Sequence, residues 1–244
     1  MKATLMLGLV IVLSSCTTTI IPVPLATVQQ AVVEDAIEIT DPHRVKPIAI
    51  TKVSSKIRKG TVVGSVGLGG RVGATRLCIY KRPVMWRVGN NIWLNSEDLV
   101  DVFREELELH GWPVVGLTKM PFEDYDLRGA EVLVAAKITD LETILCAPLI
   151  GLGNPYRRGS MRIVIEWQVY SPARRSLIGT IETEGSAEIS KLVHNTPPKL
   201  LAQSFIVAVN NLLASSKFLG LVERSEGLTP APPRPDGGSS HQGP

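Results

Sequence analysis

Apolar and polar positions alternate most strictly over residues 161–170. Met161, Ile163, Ile165, Trp167 and Val169 interleave with Arg162, Val164, Glu166, Gln168 and Tyr170. A two-residue period puts the first set on one face of a β-strand and the second on the other. Ser171 to Arg175 makes a turn, and residues 176–189 are expected to return as an antiparallel partner. A second long strand is predicted from Ala130 to Cys146, with looser alternation. Upstream, Pro47-Ile48-Ala49-Ile50 and Thr61-Val62-Val63 start two short strands around the basic turn Lys56 to Gly60. Arg76 to Tyr80 and Pro113 to Leu117 predict two more, and Gly89-Asn90 suits a two-residue hairpin turn between residues 84–88 and 91–94, which would set Trp86 and Trp93 across it.

The period changes to that of a helix twice. From Ser96 to His110, Leu99, Val102, Phe103 and Leu107 share one face. Asn95 or Ser96 is the expected cap, Glu97 and Asp98 suit the positive end of the dipole, and Gly111 ends the helix. From Pro197 to about Ser216, Leu201, Phe205, Ala208, Val209 and Leu212 make the stripe, with Thr196 as cap and Pro197 where proline is tolerated. Strands, helix, strands, helix predict an α+β fold: a mostly antiparallel sheet with two main helices packed on one face.

The ends differ from this middle. Residues 17–44 read as a tether punctuated by Pro22, Pro24 and Pro42, with a short helix expected over Leu25 to Ile39. From Ser225 onward, prolines and Gly237-Gly238 predict a disordered tail. The expected organisation is a signal peptide over 1–15, an N-terminus and tether over 16–45, a domain over 46–224 and a tail over 225–244.

That leader reading comes from the first sixteen residues. Lys2 precedes the uncharged, largely apolar run Ala3 to Leu13. Eleven helical residues reach roughly 16 Å, about half of a ~30 Å hydrocarbon core, which fits a signal-peptide apolar region and not a spanning helix. Leu13-Ser14-Ser15-Cys16 then resembles the lipobox of bacterial lipoprotein signal peptides. The resemblance implies cleavage before Cys16 and acylation of that cysteine, palmitate included. Thr17 stands where an Asp would favour inner-membrane retention, so it also implies the outer membrane, with the body facing the periplasm.

Export changes the reading of the other two cysteines. Cys78 and Cys146 form an even pair in an oxidising compartment, and a disulfide is expected, the alternative being two buried thiols. The 244 residues are 44% hydrophobic and 20% charged, as in an ordinary globular protein. The 26 basic residues face 23 acidic ones, and the net charge of +3 calls for no nucleic acid partner. Arg157-Arg158 and Arg174-Arg175 fall at opposite ends of one strand, roughly 30 Å apart, so they do not add into one groove.

Candidate chemistry is sparse. The histidines stand at 43, 110, 194 and 241, with no His-Glu-x-x-His, no paired-cysteine metal spacing and no Gly-x-Ser-x-Gly. Gly64, Gly67, Gly69, Gly70 and Gly73 suggest a phosphate loop, but Val72 stands where the dinucleotide pattern needs glycine and no Gly-Lys-Ser/Thr follows. A loop or glycine-rich hairpin is the expectation. No catalytic residue, metal or cofactor is predicted, and the chain is not expected to be an enzyme.

Two further resemblances exist. The element order after the lipobox looks like small periplasmic lipoprotein domains, such as activators of penicillin-binding proteins and auxiliary lipoproteins of ABC lipid transporters. Closer is a likeness over about residues 50–223, carried by Ser55-Lys56-Ile57, Leu77-Cys78, Asp101-Val102-Phe103-Arg104-Glu105-Glu106-Leu107, Gly111-Trp112-Pro113-Val114-Val115-Gly116 and Glu166-Trp167-Gln168-Val169-Tyr170-Ser171. These are similar to a lipoprotein-like region that precedes trypsin-like peptidase domains in some bacterial proteins. The resemblance implies the accessory module without the peptidase, so no catalytic residue transfers. The expected function is a lipid-anchored periplasmic scaffold or protein-binding module with an envelope protein partner. The alternative is a carrier of a lipid or other envelope ligand. An apolar pocket between sheet and helices would favour the carrier, and a flat sheet edge or exposed apolar patch the scaffold.

Overall fold

The strictly alternating stretch is the centre of the sheet. In the computed structural model, which describes residues 30–72, 75–86, 96–115, 129–148 and 156–224, Met161, Ile163, Ile165, Trp167 and Val169 are all fully buried. They belong to β5 (Tyr156–Ser171). The other strands are β1 (Ile48–Ser55), β2 (Val62–Val72), β3 (Thr75–Met85), β4 (Val132–Pro148) and β6 (Ser176–His194). The helices are α1 (Ser96–Leu109), α2 (Thr196–Ala214) and α3 (Ser216–Val222), and a single 3-10 turn covers Pro42–Arg44.

The fold is α+β, but the sheet is mixed. β3, β2, β4, β5 and β6 lie side by side in that order, with β2–β3, β4–β5 and β5–β6 antiparallel. β4 carries two parallel neighbours on its other edge: β1 along Val132–Ile138 and β2 along Thr143–Pro148. The register shifts against β5 between Ile138 and Asp140, where one neighbour gives way to the next. Alternation fixes which face a side chain takes, not the direction of the strand beside it. The long connection through α1 makes the parallel pairing possible.

All three helices add their apolar stripes to one core. Leu99, Phe103 and Leu107 of α1, with Leu201, Phe205, Ala208, Val209 and Leu212 of α2, are buried. Trp167 sits between the two stripes, 5.4 Å from Phe103 and 5.7 Å from Phe205 by ring centroid. Its Nε1 donates to Thr183 Oγ1 at 2.7 Å, and that hydroxyl donates to the Ala208 carbonyl at 2.8 Å. Gly185 brings β6 against α2; a Cβ there would stand 1.9 Å from the Ser204 carbonyl oxygen.

Several local expectations change. Asn195, at φ 55°, is the N-cap position of α2 and makes no side-chain cap bond. Thr196, expected as the cap, is the first helical residue; its hydroxyl lies 2.7 Å from the Arg157 carbonyl and 2.9 Å from that of Val193, which fastens the helix to the ends of β5 and β6. The last helix breaks at Ser215, which caps the added α3 by accepting from the Phe218 N–H. Of the helix expected over 25–39, the described residues 30–39 are not helical. Of the strand expected over Pro113 to Leu117, the described residues 113–115 make a bridge from Val114 to Ile48. The Gly89-Asn90 turn, Trp93, Cys16 and the tail lie outside the described residues. The glycine cluster is a hairpin, with Gly64, Gly67, Gly69 and Gly70 in β2.

Candidate anchoring strap and interaction surfaces

Residues 30–39, upstream of the first strand, lie along the domain and are bonded to it mainly through their backbone. Ser186 Oγ accepts from the Ala31 N–H at 2.8 Å and donates to Gln30 Oε1 at 3.2 Å. Asn211 Nδ2 donates to the Val32 and Glu184 carbonyls, both at 2.8 Å, while its Oδ1 accepts from the Glu34 N–H at 2.9 Å. Trp112 Nε1 donates to the Ile37 carbonyl at 3.0 Å, and the Ile39 N–H donates to the His110 carbonyl at 3.0 Å. The strap thus runs from β6 over α2 to the end of α1. Gly111, at φ +73°, ends that helix and lets the strap pass: a Cβ there would lie 2.6 Å from the Ile39 carbonyl oxygen. Ala36 and Ile39 pack on the core, while Val32 and Val33 are 76% and 64% exposed.

Between the strap, β6 and the end of α2 lies an open cleft of about 560 Å³. Glu34, Glu182, Glu184 and Asn211 line it together with Ile181 and Val32. Two carbonyls of β6 beside it are already used: that of Thr180 accepts from Lys217 Nζ at 2.6 Å, and that of Glu184 from Asn211. The space between sheet and helices is filled by Trp167, Phe103, Phe205, Leu107 and their neighbours.

The sheet face away from the helices is charged. Arg162 is hydrogen-bonded to Glu184 across β5 and β6, and its guanidinium is 3.8 Å from Asp140. The bond to Glu184 raises the arginine pKa further, against burial, with Asp140 and Glu142 adding to it. Lys137 and Glu166 pair at 3.6 Å, and Gln168 donates to Glu166 at 2.8 Å. These contacts tie three strands together on a face the alternation had marked as polar. Between α1 and α2, burial pushes the half-buried Glu106 carboxyl up from its ordinary value of 4.5, while His110 and a hydrogen bond from Asn210 oppose the shift and Glu105 adds to it. Asn210 Oδ1 is buried with no hydrogen-bond partner among the described residues.

Cys78 and Cys146 are joined in a disulfide, with their Cα atoms 6.0 Å apart. The bond links β3 to β4 across the strand between them. Gly69 is paired with Cys78 and Gly67 with Cys146, so no side chain of β2 stands in its way. Glycines two apart on one strand face are the signal in the sequence for such a crossing, beyond the loop or hairpin that the cluster also suggests. Among the described residues no three His, Cys, Asp or Glu side chains are placed to hold a metal ion. No single described helix is long and apolar enough to cross a membrane; α2 and α3 together pass by length and composition but bend by 68° and contribute much of the core.

No family model and no curated protein sequence matches the chain. Among solved structures, the chain is similar to a Xanthomonas campestris protein of the family DUF330, with 10% identity and a TM-score of 0.35 over 80% of this chain and 95% of that one. A hypothetical protein from Chlamydia trachomatis matches at 11% identity and a TM-score of 0.37, over 69% and 96% of the two chains. A Caulobacter crescentus protein described as a candidate lipoprotein matches at 12% identity and a TM-score of 0.26, over 50% and 80%. Likenesses this distant assign neither fold nor function, and the resemblance to the region that precedes trypsin-like peptidases rests on its own residues.

Proposed function

We propose that this chain is a non-catalytic, lipid-anchored module of the bacterial envelope that holds a protein partner at the outer membrane, facing the periplasm. The lipobox Leu13-Ser14-Ser15-Cys16 supplies the anchor. The observation that carries the reading is the backbone-bonded strap: the chain arriving from the Cys16 side is tied to β6, α2 and the end of α1 before the first strand begins. A load on the lipid end is then delivered to the sheet and helices, as a scaffold requires. The filled space between sheet and helices leaves outer surfaces for recognition, which weakens the carrier alternative.

Radiolabelled palmitate should enter the wild-type protein and not Cys16→Ala, which should accumulate as uncleaved precursor. A wild-type chain that takes up no label sinks the anchor. Pull-down from detergent-solubilised envelopes should recover a protein partner in defined ratio. Recovery of lipid alone would favour the carrier.

A further inference from the structure

The end of the molecule where β6 runs into α2 is free of acidic residues over two long stretches. Neither 143–165 nor 189–222 contains Asp or Glu, so the ends of β4, β5 and β6 there and the start of α2 carry only cations. Lys191, His194 and Lys199 are exposed at this end, and neither lysine forms an ion pair with a described residue. Two large apolar side chains are exposed at the same end: Tyr156 is 46% exposed and Leu192 48%. Tyr156 is paired with His194 across the ladder, the rings 5.8 Å apart and edge-on. Leu192 stands two residues before His194, where the register of β6 against β5 shifts. The positive end of the α2 dipole points the same way.

We propose that this end rests on an anionic phospholipid surface. Lysines can bury their stems while the ammonium meets phosphate, and tyrosine and leucine suit the boundary between headgroups and acyl chains. Nucleic acid would use the cations but has no place for an exposed leucine. The geometry also permits contact with the membrane that holds the anchor. Gln30, which sits at Ser186, is fourteen residue steps from Cys16, and these span at most about 50 Å. From Ser186 to His194 is only about 26 Å along the strand. The proposal rests on the anchoring reading for its bilayer, and adds a second contact that fixes how the domain stands.

The test uses the full mature chain from Thr17, made without acyl groups, in co-sedimentation with vesicles. Binding should be found with vesicles containing phosphatidylglycerol, be weak with phosphatidylcholine alone, and fall as salt rises above about 0.15 M. Each basic side chain near such a surface is worth roughly fivefold in partitioning. Lys191→Gln with Lys199→Gln should therefore cost more than tenfold, and Lys191→Glu with Lys199→Glu more still. Arg174→Gln with Arg175→Gln, at the other end of β5, should change little. Equal binding to both vesicles, no binding, loss carried by the arginine pair, or displacement by a short DNA duplex would each overturn the proposal. Palmitate uptake is read separately: acylation of Cys16 without lipid preference sinks only this contact, and lipid preference without acylation sinks only the anchor.

Discussion

Asn211 Oδ1 and the Glu34 N–H are 177 positions apart in sequence and 2.9 Å apart in the fold. The same side chain donates to the carbonyls of Val32 and Glu184, so one amide splices the strap to β6. Asn211→Ala removes three bonds but leaves the freed backbone groups open to water, so the cost should be about 1–2 kcal/mol. Hydrogen exchange should speed up at residues 31–34 and stay unchanged in β5. Unchanged exchange in the strap would mean that Asn211 does not hold it.

Gly185 and Gly220 make a matched pair. A Cβ on Gly185 would meet the Ser204 carbonyl oxygen at 1.9 Å and the Ala208 nitrogen at 2.7 Å, while one on Gly220 would meet nothing within 4 Å. Gly185→Ala must push α2 off the sheet and should cost about 1–3 kcal/mol. Gly220→Ala, in the open on α3, should be neutral or stabilising by up to about 1 kcal/mol. Urea midpoints that move alike for the two variants would refute the close approach.

The sequence exposed the elements whose period is strong and left the contacts between them dark. The alternation over 161–170 placed Trp167 and its neighbours on the buried face, and the stripe of Leu99, Phe103 and Leu107 oriented α1. Period says nothing of strand direction, so the parallel neighbours of β4 were missed. Pro22, Pro24 and Pro42 mark the strap's stretch as a tether, with a short helix over 25–39, and its docking is invisible in sequence because its bonds come from distant side chains, Ser186, Asn211 and Trp112. The cap of α2 slipped by one residue because Thr196 spends its hydroxyl on the Arg157 and Val193 carbonyls. Pairing of Cys78 with Cys146 was expected from export and parity; the glycines of β2 supply the physical reason.

That disulfide closes a separation of 68 residues. In the chain-entropy account a loop of that size contributes about 4 kcal/mol by restricting the unfolded chain. Reductant, or Cys78→Ala with Cys146→Ala, should lower stability by up to that amount in urea titration. Mass spectrometry of the protein isolated without reductant should find one bond between the two positions. Two alkylatable thiols would refute it.

Glu106 should give the stability a pH dependence opposite in sign to that of an ion-paired carboxylate. Burial against α2 raises its carboxyl above the ordinary 4.5, and neither His110 nor the Asn210 amide cancels the shift. Over the window from 4.5 up to the raised folded value, the folded chain holds a proton that the unfolded chain has released. The group's contribution is therefore complete below 4.5 and is lost as pH rises through the folded value. Glu106→Gln stays neutral throughout and should flatten the decline between mildly acid and neutral pH. The variant also buries no charge at neutral pH, so it should be the more stable protein there. Urea midpoints taken in steps from acid to neutral pH measure both effects. A variant that tracks the wild type across the window would show that burial at the α1–α2 contact does not hold the Glu106 proton.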